Sequence, residues 1–230
     1  MNLGIMQPYI FPYIGYFQLI NAVDKFVLYD DVTFIKQGWI NRNRILLNGE
    51  PHVFTVPLKN ASSYTTIAHT EINHNLYTGW RVKFFKTLAL AYAKAPYYKE
   101  AMGVISAIFN SNADMVSELA VNSIIETSKY IGINTAFVLT ATRYGNNHLK
   151  GEDRVIDICK KENADVYINA SGGKELYARG NFQKAGLELR FIRSRGITYP
   201  QFQHTFVSWL SVIDIMMFNS PEEIKNFLNE

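Results

Sequence analysis

Residues 2–31 read NLGIMQPYIFPYIGYFQLINAVDKFVLYDD, and their pattern decides the fold class. Asn2 to Met6 is a short apolar run that stops at Gln7-Pro8, because proline biases the residue before it away from helix and marks a loop. Pro12 suits a first helical turn, and Ile14, Phe17, Leu19 and Ile20 follow at roughly helical spacing as far as Ala22. Lys25 to Tyr29 is β-branched and aromatic, and Asp30-Asp31 stops it. Strand, loop, helix, strand is the order of a βαβ unit in a parallel sheet.

The same alternation returns later in the chain, with strands expected in TAFVLT (135–140), DVYIN (165–169) and LELRFI (187–192) and a helix from Glu152 to Asn163. Two other textures lie between. From Thr33 to Thr70 the runs WINRNRILL, HVFTVPL and TIAHTEI look strand-like, and Asn48-Gly49 between the first two is a hairpin signal. Residues 76–131 show helical periodicity, enough for three helices with Gly132 as a stop. Phe206–Phe218 and Pro221–Leu228 predict two further short helices. The expected fold is therefore α/β: one domain over 1–230, a mainly parallel Rossmann-like sheet, a β-hairpin flap at 33–72 and a helical insert at 76–131.

Composition narrows the function classes. The chain has 230 residues, 48% apolar and 19% charged, which excludes disordered and coiled-coil readings. A net charge of +3, with basic clusters only at Arg42/Arg44 and Arg190/Arg193/Arg195, does not argue for a nucleic-acid partner. Cys159 is the single cysteine, so no intramolecular disulfide forms and a reducing, cytoplasmic location is expected. No charge occurs between Met1 and Asp24, yet the prolines, glutamines and aromatic residues there fit neither a signal peptide nor a membrane span.

Four segments carry candidate chemistry. The first loop lies at the carboxyl end of the first strand, where open α/β sheets bind ligands. There Gln7, Tyr9, Tyr13 and Tyr16 offer a pocket wall or, alternatively, inter-element packing, and Gly15 would let a phosphate approach the helix N-terminus. Asp30 and Asp31 close the second strand, as a catalytic base and acceptor pair or as a simple turn. In Gly38–Arg44 an alternating strand places Trp39, Asn41 and Asn43 on one face and Arg42 and Arg44 on the other. The arginines would clamp phosphate and the tryptophan would stack on a sugar or base, with Lys36 nearby; a solvated edge strand is the plainer reading. Ser171, Gly172 and Gly173 follow another strand and could cradle a phosphate, with Tyr177 just beyond, although no Walker A sequence is present. The histidines (His52, His69, His74, His148, His204) lack metal-ligand spacing, so no metal site is expected, and Cys159 sits in an apolar helix pattern as a core thiol. No cofactor can be named from these motifs.

The segments MQPYIFPYIGYFQLINAVDKFVLYDDVTFIKQGWINRNRI (6–45), TVPLK (55–59), KAPYY (94–98), INASGGKELY (168–177) and YPQFQHTFVSWLSVIDIMMFN (199–219) resemble the WbqC-like family of bacterial proteins. The resemblance implies a role in surface-polysaccharide (O-antigen) biosynthesis, with addition of a glycyl or other acyl group to an amino sugar. Pro12–Tyr16 is also similar to the H-x-G-H helix start of nucleotidyltransferases and pantothenate synthetases, with Tyr13 and Tyr16 in place of the histidines. That departure removes the imidazoles that would stabilise a transferring phosphoryl group. The expected function is a transferase forming an amide on a nucleotide-linked amino sugar, with Asp30 or Asp31 as base. An ATP-dependent amide ligase and a non-catalytic saccharide-binding or scaffold protein are the alternatives.

Overall fold

The computed structural model describes residues 1–203 and 205–229. Its centre is a five-stranded parallel sheet built from β1 (Asn2–Met6), β2 (Lys25–Leu28), β5 (Ala136–Val138), β6 (Val166–Ala170) and β7 (Glu188–Ile192), in the spatial order β5-β2-β1-β6-β7. Strand alternation sends side chains to two cores. Leu3, Ile5, Val27, Tyr167 and Leu189 enter one core beneath α5 (Gly151–Lys161) and α6 (Arg179–Lys184). Phe26, Leu28, Val166 and Ile168 enter the other, beneath α1 (Ile14–Asn21). Helices thus cover both faces, as a sheet of buried parallel strands requires.

The helical insert is α2 (His74–Tyr92), α3 (Tyr98–Phe109) and α4 (Val116–Ile131), and it packs into the same core as α1, together with α7 (Val212–Phe218) and α8 (Pro221–Asn229). Gly132, with φ of 80°, ends α4 in the left-handed conformation that glycine accommodates. The antiparallel hairpin β3 (Arg42–Leu47) and β4 (Glu50–Thr55) turns at Asn48-Gly49, whose φ values of 53° and 80° are those of the expected tight turn. Phe54 packs against Phe84 of α2 with centroids 4.5 Å apart and the planes tilted by 35°, which ties the hairpin to the insert.

Three local expectations are corrected. TIAHTEI forms a 3-10 turn over Ile67–His69 with isolated bridges in place of a strand, because Thr66 Oγ1 bonds His69 Nδ1 and the Thr70 hydroxyl donates to the Thr66 carbonyl, both at 2.7 Å. The strand expected from Trp39 starts only at Arg42, after a turn that passes through Gln37 at φ 61°. The final helical region starts at Val212, since Gln201 captures both the N–H and the carbonyl of Val207 and Trp209 is left-handed at φ 60°. Among the described residues no helix is long and apolar enough to cross a membrane.

Candidate functional site

From β1 the chain runs outward to β2 on one side, while β6 and β7 lie on the other. Loops leaving β1 and β6 therefore diverge and open a crevice at the carboxyl edge. A cavity of about 570 Å³ occupies this place, lined by the start of α1, by residues 170–172 after β6, by residues 192–197 after β7 and by the 206–212 segment. Tyr13, Gly15, Ser171 and Gly172, four of the residues expected from the sequence, line it.

The cavity's chemistry follows from its walls. Tyr13 caps α1 without a side-chain bond, and the first turn holds no acidic residue. The N–H groups of Ile14 and Gly15 thus lack intrahelical acceptors and carry the positive end of the helix dipole. Gln18, only 3% exposed, fastens the loop after β7 to this helix: its Oε1 accepts from Ser194 Oγ and the Arg195 N–H, both at 3.1 Å, and its Nε2 donates to the Phe227 carbonyl at 3.0 Å. A Cβ on Gly15 would lie 2.3 Å from Ser194 Oγ and 2.4 Å from Tyr13 Cε2, so any larger residue has to displace one of these side chains. Arg193 and Arg195 line the cavity, are exposed, and have no ion-pair partner among the described residues. Two guanidiniums, free helix N–H groups and the Ser171 hydroxyl give it an electropositive, donor-rich wall, the chemistry that a multiply charged anion needs.

Arg193, Ser194, Arg195, Gln18 and Trp209 were not expected at the site. The available signal was RSRG (193–196) directly after the last strand, where the carboxyl-edge rule applies. Trp209 comes from a segment remote in sequence; its ring meets Tyr13 at 5.4 Å.

The other expected residues divide into separate groups. Tyr16 is buried, donates to the Gln7 carbonyl at 3.0 Å and meets Tyr9 edge to face at 5.1 Å, so Gln7, Tyr9 and Tyr16 brace the first loop. Burial pushes the phenols of Tyr9 and Tyr16 well above the ordinary range. Asn43 is 4% exposed and donates to the Phe11 carbonyl at 2.7 Å, and Asn41 donates to the Val56 carbonyl at 2.8 Å, so both amides serve the hairpin and first loop. The expected split of faces is wrong for Trp39: Arg42 and Arg44 both lie over its ring, at 5.4 and 5.2 Å, because the turn at Gln37 swings it to the cationic side. Arg44 also donates to the Trp209 carbonyl at 2.9 Å, which places it behind the cavity's rim. Lys36 is exposed. Gly173 packs on Asn169, whose Nδ2 would lie 2.6 Å from an added Cβ, and Tyr177 packs on Tyr167 with centroids 5.6 Å apart.

Asp30 and Asp31 diverge. Asp30 Oδ1 accepts from the Thr140 hydroxyl and the Ala141 N–H, both at 2.9 Å, and burial raises the carboxyl's pKa above the usual range. It lines a second cavity of about 590 Å³, together with His69, Glu118 and Asn122. Asp31 pairs with the buried Arg154, whose guanidinium lies 4.8 Å over the Tyr29 ring and whose Nε donates to Asn146 Oδ1 at 2.9 Å. His69 bonds Thr66 and His74 bonds Asp114, while His204 lies outside the described residues. Cys159 is fully buried and its thiol is pushed up to about 12 by that burial, as a core thiol should be.

The model of the WbqC-like protein family matches residues 7–226. The chain is also similar to "Uncharacterized protein Rv1507c" of Mycobacterium tuberculosis (strain ATCC 25618 / H37Rv), at 25% identity over 235 residues covering 99% of this chain and 97% of that protein. No solved structure matches. A family match over nearly the whole length, including the first loop, α1 and the loop after β7 that enclose the cavity, places the chain in the WbqC-like protein family.

Proposed function

We propose that the cavity between the ends of β1 and β6 holds the diphosphate of a nucleotide-linked amino sugar, and that the protein transfers an acyl group to the sugar's amine in surface-polysaccharide biosynthesis in the cytoplasm. The observation that carries this reading is the convergence of the free N–H groups of Ile14 and Gly15, the guanidiniums of Arg193 and Arg195 and the Ser171 hydroxyl on one cavity. Diphosphate needs several charge-assisted donors at fixed positions, and a switch-point crevice supplies them. In this scheme the new C–N bond forms as the acyl carbon's bond to its leaving group breaks, and Asp30 accepts the amine proton. A carboxyl with a raised pKa suits that role. Asp30 lines the neighbouring cavity at the end of β2, the strand that pairs with β1, so in this scheme the sugar extends from the β1–β6 crevice across the first loop to that carboxyl.

The test is mass-spectrometric detection of amide product from dTDP- and UDP-linked amino sugars, supplied with acyl-CoA donors or with ATP plus glycine. Product from acyl-CoA without ATP supports the transferase, and Asp30→Asn then abolishes turnover while sparing sugar-nucleotide binding. A strict need for ATP replaces it with the ligase. Binding without turnover under either condition leaves a saccharide-binding protein.

A further inference from the structure

Trp209 stands apart on three counts. It is 63% exposed although aromatic, it lines the cavity, and its φ of 60° lies in a region that bulky L-residues seldom occupy. Such a conformation persists only where its surroundings hold it, and it gathers at ligand sites. The holding groups are visible. Arg44 donates to the Trp209 carbonyl at 2.9 Å, and that guanidinium is itself stacked 5.2 Å over Trp39. The Trp209 ring meets Tyr13 at 5.4 Å with 48° between the planes, a wedge too open for the two rings to stack on each other. The wedge adjoins Tyr13, the residue that caps the anion-binding end of α1.

We propose that Trp209 is the stacking platform for the nucleobase of the bound nucleotide, and that Arg44, backed by Trp39, positions it. This rests on the phosphate reading of the cavity and extends it to the base. The assignment to base and not to sugar follows from exposure. The amine that reacts must be shielded from water, whereas the base is only a handle and can be held at the rim. Stacking also suits a flat ring of either pyrimidine, so Trp209 gives affinity for the nucleoside with little choice between uracil and thymine.

The experiment is calorimetric titration of the full chain and its variants with UDP, dTDP and inorganic pyrophosphate. Loss of one base-stacking contact weakens binding by about tenfold or more. Trp209→Ala is therefore expected to weaken UDP and dTDP by at least about tenfold and pyrophosphate by less than about twofold, while Trp209→Phe retains most nucleoside affinity. Arg44→Ala gives a smaller loss of the same selective kind, and the double variant is no weaker than Trp209→Ala alone. Trp209→Gly, which suits the left-handed backbone, unfolds at no lower temperature than the wild type and still loses the nucleoside, which separates binding from folding. Equal weakening of UDP and pyrophosphate, or none, overturns the platform while leaving the phosphate site intact. A wild type that binds none of the three overturns both.

Discussion

Gly15→Ala tests whether the anion site depends on close docking of the loop after β7 against α1. The new methyl would lie 2.3 Å from Ser194 Oγ and 2.4 Å from Tyr13 Cε2. Retreat has a cost at each neighbour, because Ser194 would lose its bond to Gln18 and the Tyr13 ring its contact with Trp209. Overpacking of this kind costs about 1–3 kcal/mol. Alanine gains at most about 1 kcal/mol over glycine in helix propensity, and less in a first turn. The overlap therefore wins, and the variant is expected to be about 1–2 kcal/mol less stable in urea unfolding, with pyrophosphate binding weakened as the loop carrying Arg193 and Arg195 is displaced. A double-mutant cycle isolates the cause. In a Ser194→Ala background one of the two close contacts is gone, so Gly15→Ala should cost at least about 0.5 kcal/mol less there. A Gly15→Ala protein as stable as the wild type, or a cycle that is additive, would mean that the loop after β7 does not depend on the close approach at Gly15.

Further perturbations test the rest of the structure. Arg154→Met leaves the largely buried Asp31 without its partner and is expected to destabilise the fold by about 3 kcal/mol in denaturant unfolding, while adding Asp31→Asn recovers part of that loss. Asp214, fully buried in α7, accepts from the hydroxyls of Tyr92 and Tyr199 and from Gln201, each at 2.7 Å. Asp214→Ala strands those donors and should cost at least about 3 kcal/mol, with Tyr199 released from the cavity wall. Burial raises the pKa of Asp30, so the folded state keeps this proton to higher pH than the unfolded chain. Its contribution is fully present below an unfolded value of about 3.9 and is lost as pH rises through the folded pKa. Relative to Asp30→Asn, whose Oδ1 can still accept from Thr140 and Ala141, the wild type should lose stability across that window and hold a constant difference above it. A difference that grows in the wild type's favour would contradict the burial argument.

What was legible in the sequence, and what was not, follows the range of the forces involved. Strand and helix periodicity reports local burial, so all five strands of the parallel sheet and the three helices of the insert were expected, as was the Asn48-Gly49 turn. Tyr13, Gly15, Ser171 and Gly172 were reachable because each follows a strand whose carboxyl end could be read directly. The pattern misleads where local side-chain hydrogen bonds override it. Thr66 and Thr70 turn a strand-like run into a 3-10 turn, and Gln201 holds the chain before α7 out of a helix. Trp209 was invisible as a site residue because its conformation depends on Arg44, 165 positions earlier. Asp30-Asp31 looked like one functional unit, but adjacent residues at a strand end point to opposite sides, and Thr140 and Arg154 draw them apart.

Calorimetric titration of UDP- and dTDP-linked amino sugars into the wild type and into Arg193→Ala/Arg195→Ala decides whether the start of α1 and the loop after β7 form one phosphate receptor. A single saturable site is expected for at least one of these ligands, weakened by at least about tenfold in the double variant, since each charge-assisted bond contributes about 1.5–3 kcal/mol. Absence of binding to the wild type, or equal affinity in the variant lacking both arginines, would contradict it.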